Sequence, residues 1–141
     1  MTAVVYAESS AIMAWLLRES PGPSVRAHLE GAGIVVTSRL TLVECARSLR
    51  RARREGRLAD HDARAAQHTL DEAAGQWVIM DLAGDAMARA EEDFPVESVR
   101  TLDALHLASA LVFHANLGEL TILSLDERIR ANAAALGLTI A

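Results

Sequence analysis

The sequence predicts an α/β fold, a three-layer α/β/α sandwich around a central, mostly parallel sheet, and three observations predict it. Short β-branched runs alternate with longer segments whose apolar residues fall at helical spacing. The short runs are nearly uniformly apolar, as strands are when helices cover both faces of a parallel sheet. Glycine and proline punctuate the junctions.

In chain order, the strand candidates are AVVYA (Ala3–Ala7), IVVT (Ile34–Thr37), WVIMD (Trp77–Asp81), TILSL (Thr121–Leu125) and LTIA (Leu138–Ala141). The break after SSAIMAWLL is marked by Pro21, Gly22 and Pro23, and a helix end by Gly31 and Gly33. LTLVECARSLRRARREG is a long helical pattern, and Asp60 to Asp62 open another. AGDAMARAEEDF (Ala83–Phe94) reads as a helix followed by Pro95 and an irregular polar bridge to Val99. LDALHLASALVFHA is a helix stopped by Gly118, and Gly137 precedes the last strand.

At 141 residues and 51% hydrophobic composition, the chain fits one domain, residues 1–141, with a real core. No basic region followed by an apolar leader is present, and no run approaches the roughly 18 apolar residues of a membrane span, so a soluble, cytoplasmic protein without membrane contact is expected. Cys45, the single cysteine, cannot form an internal disulfide, and its flanks suit a small buried hydrophobe. The net charge of −5 argues against indiscriminate polyanion binding. All 14 basic residues are arginine. The absence of lysine speaks against a receiver domain, which resembles this architecture but needs a lysine at its phosphoryl site. Neither GxGxxG nor GxxxxGK[ST] occurs, which excludes a glycine-rich phosphate loop.

In an open parallel sheet the ligand crevice lies beyond the carboxyl ends of the strands. Four acids are candidates for that place: Glu8 after the first strand, Glu44 early in the helix after the second, Asp103 opening the long helix, and Asp126 after TILSL. Each also has an ordinary explanation. Thr41 with Glu44, Thr101 with Asp103, and Ser124 with Glu127 beside Asp126 all sit at helix-capping spacings, with Ser38 an alternative cap. Taken together, four carboxylates in one small volume would repel one another or require a cation, and a hard divalent ion suits oxygen donors.

The segments YAESSAI, LTLVECARSL, RTLDALHLASAL and SLDERIRANAAALGL resemble the four acidic motifs of PIN-domain proteins, in particular the VapC-type ribonuclease toxins of toxin–antitoxin pairs. The resemblance runs nearly end to end, and the acid followed by Ala-Leu-His is its most specific part. It departs at Glu8, where the family usually has aspartate. The resemblance implies a PIN-like sandwich with an acidic pocket for Mg2+ or Mn2+ and hydrolysis of RNA phosphodiesters by metal-activated water. Glu8, Asp103 and Asp126 are the implied metal ligands, Glu44 a ligand or a water-orienting base, and Ser10 and Ser124 hydroxyls that fix the carboxylates. It also implies a small VapB-like antitoxin and a homodimer. SSAIMAWLL, Ala27 to Leu29 and Leu70 offer apolar surface for such association. The alternative function is a weakened or inactive PIN fold kept for RNA or protein binding, for which Glu8 is the reason.

A nuclease with an acidic pocket needs positive charge at its rim. Arg47, Arg50, Arg51 and Arg54 recur at i, i+3, i+4 and i+7 and form one helical stripe, with Arg53 and Arg57 extending it. Arg47 and Arg50, nearest Glu44 in the repeat, are expected to meet RNA; the alternative is a solvated face paired with acids. His106 shares a helix face with Asp103, in position to hydrogen-bond that acid or touch substrate, and is read first as a buried, satisfied histidine. Trp15 and Trp77 are expected in the core or an interface.

Overall fold

The computed structural model describes residues 3–141. Five strands, β1 (Val4–Ala7), β2 (Ile34–Ser38), β3 (Val78–Met80), β4 (Leu120–Leu123) and β5 (Thr139–Ile140), form one sheet in the order β3-β2-β1-β4-β5. Every pairing is parallel, with Tyr6 opposite both Val36 and Ile122. The chain builds outward from β1 in one direction through β2 and β3, then returns to its other side with β4 and β5. This reversal makes the carboxyl ends of β1 and β4 a switch point, where neighbouring connections diverge and leave a crevice.

Among the described residues seven helices cover the sheet: α1 (Ser9–Leu16), α2 (Gly22–Gly31), α3 (Arg39–Arg54), α4 (Asp60–Ala74), α5 (Gly84–Ala90), α6 (Thr101–Leu117) and α7 (Glu127–Ala135). Successive strand residues point to opposite faces, and on β1 both faces are buried. Val4 and Tyr6 pack with Leu107, Phe113, Ile122 and Ile129 beneath α5, α6 and α7. Ala7 packs with Ile12, Val35, Cys45 and Leu70, and Val5 with Val25 and Leu123, beneath α1 to α4. These two cores make the three layers that the uniformly apolar strands predict.

Two boundaries differ from expectation, each for a local reason. TILSL leaves the sheet at Leu123 because Ser124 and Leu125 turn their polar groups to residues 8 and 10. The helix expected from Ala83 to Phe94 ends at Ala90, and Phe94 folds back into the core beneath the Arg89 guanidinium, 4.5 Å above its ring. The polar bridge that follows is braced by the Glu97 carboxylate, which accepts from the Phe94 and Val99 N–H groups, and by Asn132, which bonds both backbone groups of Val96. This bracing aims the start of α6 at the crevice. Gly118 stops α6 at φ 88°, in the left-handed region that glycine tolerates.

The apolar segments expected to drive dimerisation are largely consumed inside the chain. Ile12 and Leu70 are buried, while Met13, Trp15, Leu16, Leu29 and Trp77 are partly buried against the second core. Among the described residues no helix is long and apolar enough to cross a membrane.

Candidate active site

A cavity of about 440 Å³ opens at the switch point, and Glu8, Glu44, Asp103 and Asp126 all line it. The four acids, expected from four separate segments, are brought together. Ser10 joins them in the lining, as do Ser9, Ser48, Arg100 and His106.

Glu8 is placed by strand pairing and helix capping at once. Its N–H extends the β1–β4 ladder to the Leu123 carbonyl at 3.0 Å, and its side chain caps α1. Oε1 accepts from the hydroxyls of Ser10 at 2.7 Å and Ser124 at 2.8 Å. Oε2 accepts from the Ser9 hydroxyl at 2.9 Å and the Ser10 N–H at 2.5 Å. With the residue only 2% exposed, four donors stand in for lost water. Ser124 also accepts from the Asp126 N–H at 3.1 Å, so one buried hydroxyl ties two of the acids together.

Asp126 is the N-cap of α7, where Oδ1 accepts from the Arg128 and Ile129 N–H groups, instead of Ser124 forming a capping box with Glu127. Asp103, 4% exposed, is the third residue of α6 and accepts from the Arg100 N–H at 3.4 Å. The cap of α6 is therefore Arg100 in place of Thr101. Arg100 also donates from Nε to Asp103 Oδ2 at 3.2 Å and from Nη2 to Asp126 Oδ2 at 3.5 Å. Hydrogen bonding to Asp103, the Asp103 charge and the more distant Asp126 raise the guanidinium pKa above its ordinary value.

Glu44 does not pair with Thr41, whose hydroxyl donates to the Ala7 carbonyl. It meets His106 instead, with Nε2 and Oε1 2.5 Å apart. A carboxylate only accepts, so Nε2 carries the proton. The other ring nitrogen, Nδ1, lies 3.0 Å from the Tyr6 hydroxyl, which donates to Ser38 at 3.2 Å. Burial pushes Tyr6 up to about 12, against opposing hydrogen bonds to Ser38 and Thr41, so the phenol stays neutral. Glu44 thus stands at the end of a buried chain of polar groups running under the pocket.

Sequence reading missed Arg100 and the Tyr6–His106–Glu44 chain. A tyrosine inside an otherwise apolar strand and a histidine inside an apolar helix were the available signals, since each needs a partner once buried. Cys45 is buried and its thiol is pushed up to about 12 by burial, then by Glu44 and Glu8, which rules it out as a nucleophile near neutral pH.

The donor chemistry suits a hard cation: carboxylates and hydroxyls in one open pocket. Asp103 Oδ1 and Glu44 Oε2 have no protein hydrogen-bond donor among the described residues, and so keep lone pairs for a ligand. As they stand, no three acidic, histidine or cysteine side chains among the described residues lie close enough to enclose an ion. The repulsion expected between the acids is met here by protein groups: neutral donors on Glu8, His106 on Glu44, and Arg100 between Asp103 and Asp126.

Arg47, Arg50, Arg51 and Arg54 all lie exposed on α3, opposite its buried Thr41, Cys45, Leu49 and Ala52. None of Arg47, Arg50, Arg51 and Arg54 forms an ion pair among the described residues, whereas Arg53 pairs with Asp60 and Arg57 with Glu55. The stripe divides. Glu44 and Ser48 line the pocket, and Arg47 and Arg51 follow them at helical spacing. Arg50 instead lines a separate cleft of about 100 Å³ with Arg53, Arg64 and Gln67.

A family model described as the PIN domain matches residues 5–136. Ribonuclease VapC46 of Mycobacterium tuberculosis (strain ATCC 25618 / H37Rv) is 34% identical over 142 residues, covering 98% of this chain and 96% of its own. Among solved structures, VapC20 of Mycobacterium tuberculosis, a sarcin-ricin loop cleaving toxin, superposes with a TM-score of 0.67 at 16% identity over 96% of each chain. VapBC2 from Rickettsia felis, bound to a DNA fragment from their promoter, gives 0.62 at 10% identity, covering 98% of this chain and 97% of that one. The two structures share the fold with this chain.

Proposed function

Because the chain belongs to the PIN-domain family, we propose that it is a metal-dependent endoribonuclease, the toxin of a type II toxin–antitoxin pair, acting on RNA in the cytoplasm. The observation that carries this reading is the delivery of four carboxylates, from four separate segments, to one open cavity at the switch point of the sheet. The likeness to a ribonuclease over nearly the full chain supports it.

Glu8, Asp103 and Asp126 would hold Mg2+ or Mn2+, directly or through water. When bound, the ion supplies activation of water and neutralises charge that builds on the phosphoryl oxygens. Glu8 is oriented by Ser10 and Ser124. His106 anchors Glu44 Oε1, leaving Oε2 to take a ligand place or to accept a proton from the attacking water. The arginines draw the RNA backbone to a pocket that would otherwise repel it. A second reading, a PIN fold that binds without cutting, is favoured by one observation: both Glu8 oxygens already accept two protein donors each.

Cleavage of a mixed RNA pool with Mn2+ separates the two. Asp103→Asn is expected to lower the rate by at least about 100-fold, as loss of a group that touches the reacting atoms does. Cleavage undiminished by that substitution would remove the site, and RNA binding without cleavage under any divalent ion would establish the second reading.

Three exposed apolar residues each precede a pocket acid in the chain: Val43 before Glu44, Leu102 before Asp103 and Leu125 before Asp126. These exposed apolar side chains, Leu102 among them in the cavity lining, support a small VapB-like antitoxin that seats over the pocket mouth of a homodimer. A short neighbouring-gene product should co-purify and protect these positions from hydrogen exchange; a non-toxic chain that purifies alone as a monomer would count against the pair.

A further inference from the structure

The metal-binding reading leaves Arg100 unexplained. Its side chain is 65% exposed, yet it reaches back to Asp103 at 3.2 Å and Asp126 at 3.5 Å, across the two acids on the open side of the pocket. The contact with Asp103 is local to the helix start, but the reach to Asp126, 26 residues away in sequence, is not. Arg130 of α7 is turned away, donating to the Ser124 and Ala141 carbonyls. Arg100 is therefore the guanidinium in the cavity lining, and it stands where positive charge is wanted.

We propose that Arg100 is a built-in counter-ion of the pocket, occupying Asp103 and Asp126 until a divalent cation displaces it, and that the released guanidinium then binds a phosphate of the RNA. Three observations carry this. Both contacts are single and long for charge-assisted bonds, so they are readily exchanged. Asp103 Oδ1 has no protein donor among the described residues, so an incoming ion has a lone pair to engage first. The arginine stem starts at the N-cap of α6, on a bridge held by Glu97 and Asn132, so the head can swing while its base stays fixed at the pocket rim. A planar guanidinium freed there suits a phosphate oxygen pair. The inference rests on the metal-binding reading above and deepens it.

The test is calorimetric titration of the purified full chain with Mn2+, for wild type, Arg100→Gln, Arg100→Lys and Asp103→Asn. Removing the internal competitor should tighten Mn2+ binding about fivefold in Arg100→Gln, the worth of two exposed ion pairs, with Arg100→Lys near wild type. Binding of a short single-stranded RNA with Ca2+ in place of Mn2+ should show the opposite sign: Arg100→Gln binds more weakly, and its salt slope is shallower by about 0.7, one phosphate contact. Equal or weaker Mn2+ affinity in Arg100→Gln would overturn the counter-ion role. An unchanged salt slope would overturn delivery to phosphate. Should wild type bind no Mn2+ while Arg100→Gln does, Arg100 is confirmed as the block. If neither binds any, the metal reading itself fails, and the inference with it.

Discussion

The two sides of the pocket are built on different principles. On the Glu8 side, a carboxylate that is almost wholly buried is held by neutral donors from Ser9, Ser10 and Ser124, all within 2.9 Å. On the Asp103–Asp126 side, the balancing group is a single charged side chain, mostly in solvent, at 3.2 to 3.5 Å. Buried hydrogen bonds to a carboxylate are costly to break because water cannot replace them, whereas an exposed ion pair is easily exchanged for water or another ion. One side is thus part of the fold. The other is a site waiting for charge.

The sharpest way to break that contrast is to remove one hydroxyl from the buried side. Ser124 is fully buried, donates to Glu8 and accepts from the Asp126 N–H. Ser124→Ala leaves both groups short of a partner and should cost roughly 1–3 kcal/mol of stability, read as a lower urea midpoint with an unchanged slope. Arg100→Gln, on the open side, should lower the midpoint less, by the worth of two solvent-screened ion pairs. Equal losses in the two variants would mean that the sides do not differ as described.

Much of this was legible in the sequence because it follows from local pattern. Uniformly apolar strands announce a sheet covered on both faces, and acids just past such strands fall at its carboxyl edge wherever the order reverses. What escaped depends on contacts between distant segments. His106, three residues from Asp103, suggested the wrong acid; its partner Glu44 lies 62 residues away, across the layer boundary. Arg100 ends a bridge whose course is set by Glu97 and Asn132, and no periodicity announces such bracing. The apolar face read from SSAIMAWLL is partly covered for a related reason: the pattern shows that a face is apolar, while helices α2, α3 and α4 cover part of it within the same chain.

The smallest effect separates two residues of one stripe, of which the sequence favours Arg50 for RNA and the structure turns Arg50 toward another cleft. Arg50 and Arg51 are both exposed and unpaired with acids among the described residues. Arg51 stands seven residues from Glu44 and three from Ser48, which puts it on the line of side chains that reaches the pocket. Arg50 faces the cleft beside α4, where Arg53 and Arg64 already engage Asp60. In an Asp103→Asn background, which keeps the RNA intact, Arg51→Gln should make the salt slope of RNA binding shallower by about 0.7, while Arg50→Gln leaves it unchanged. A matched loss from both would mean that RNA lies across the whole basic face of α3, and that the pocket line carries no preference along it.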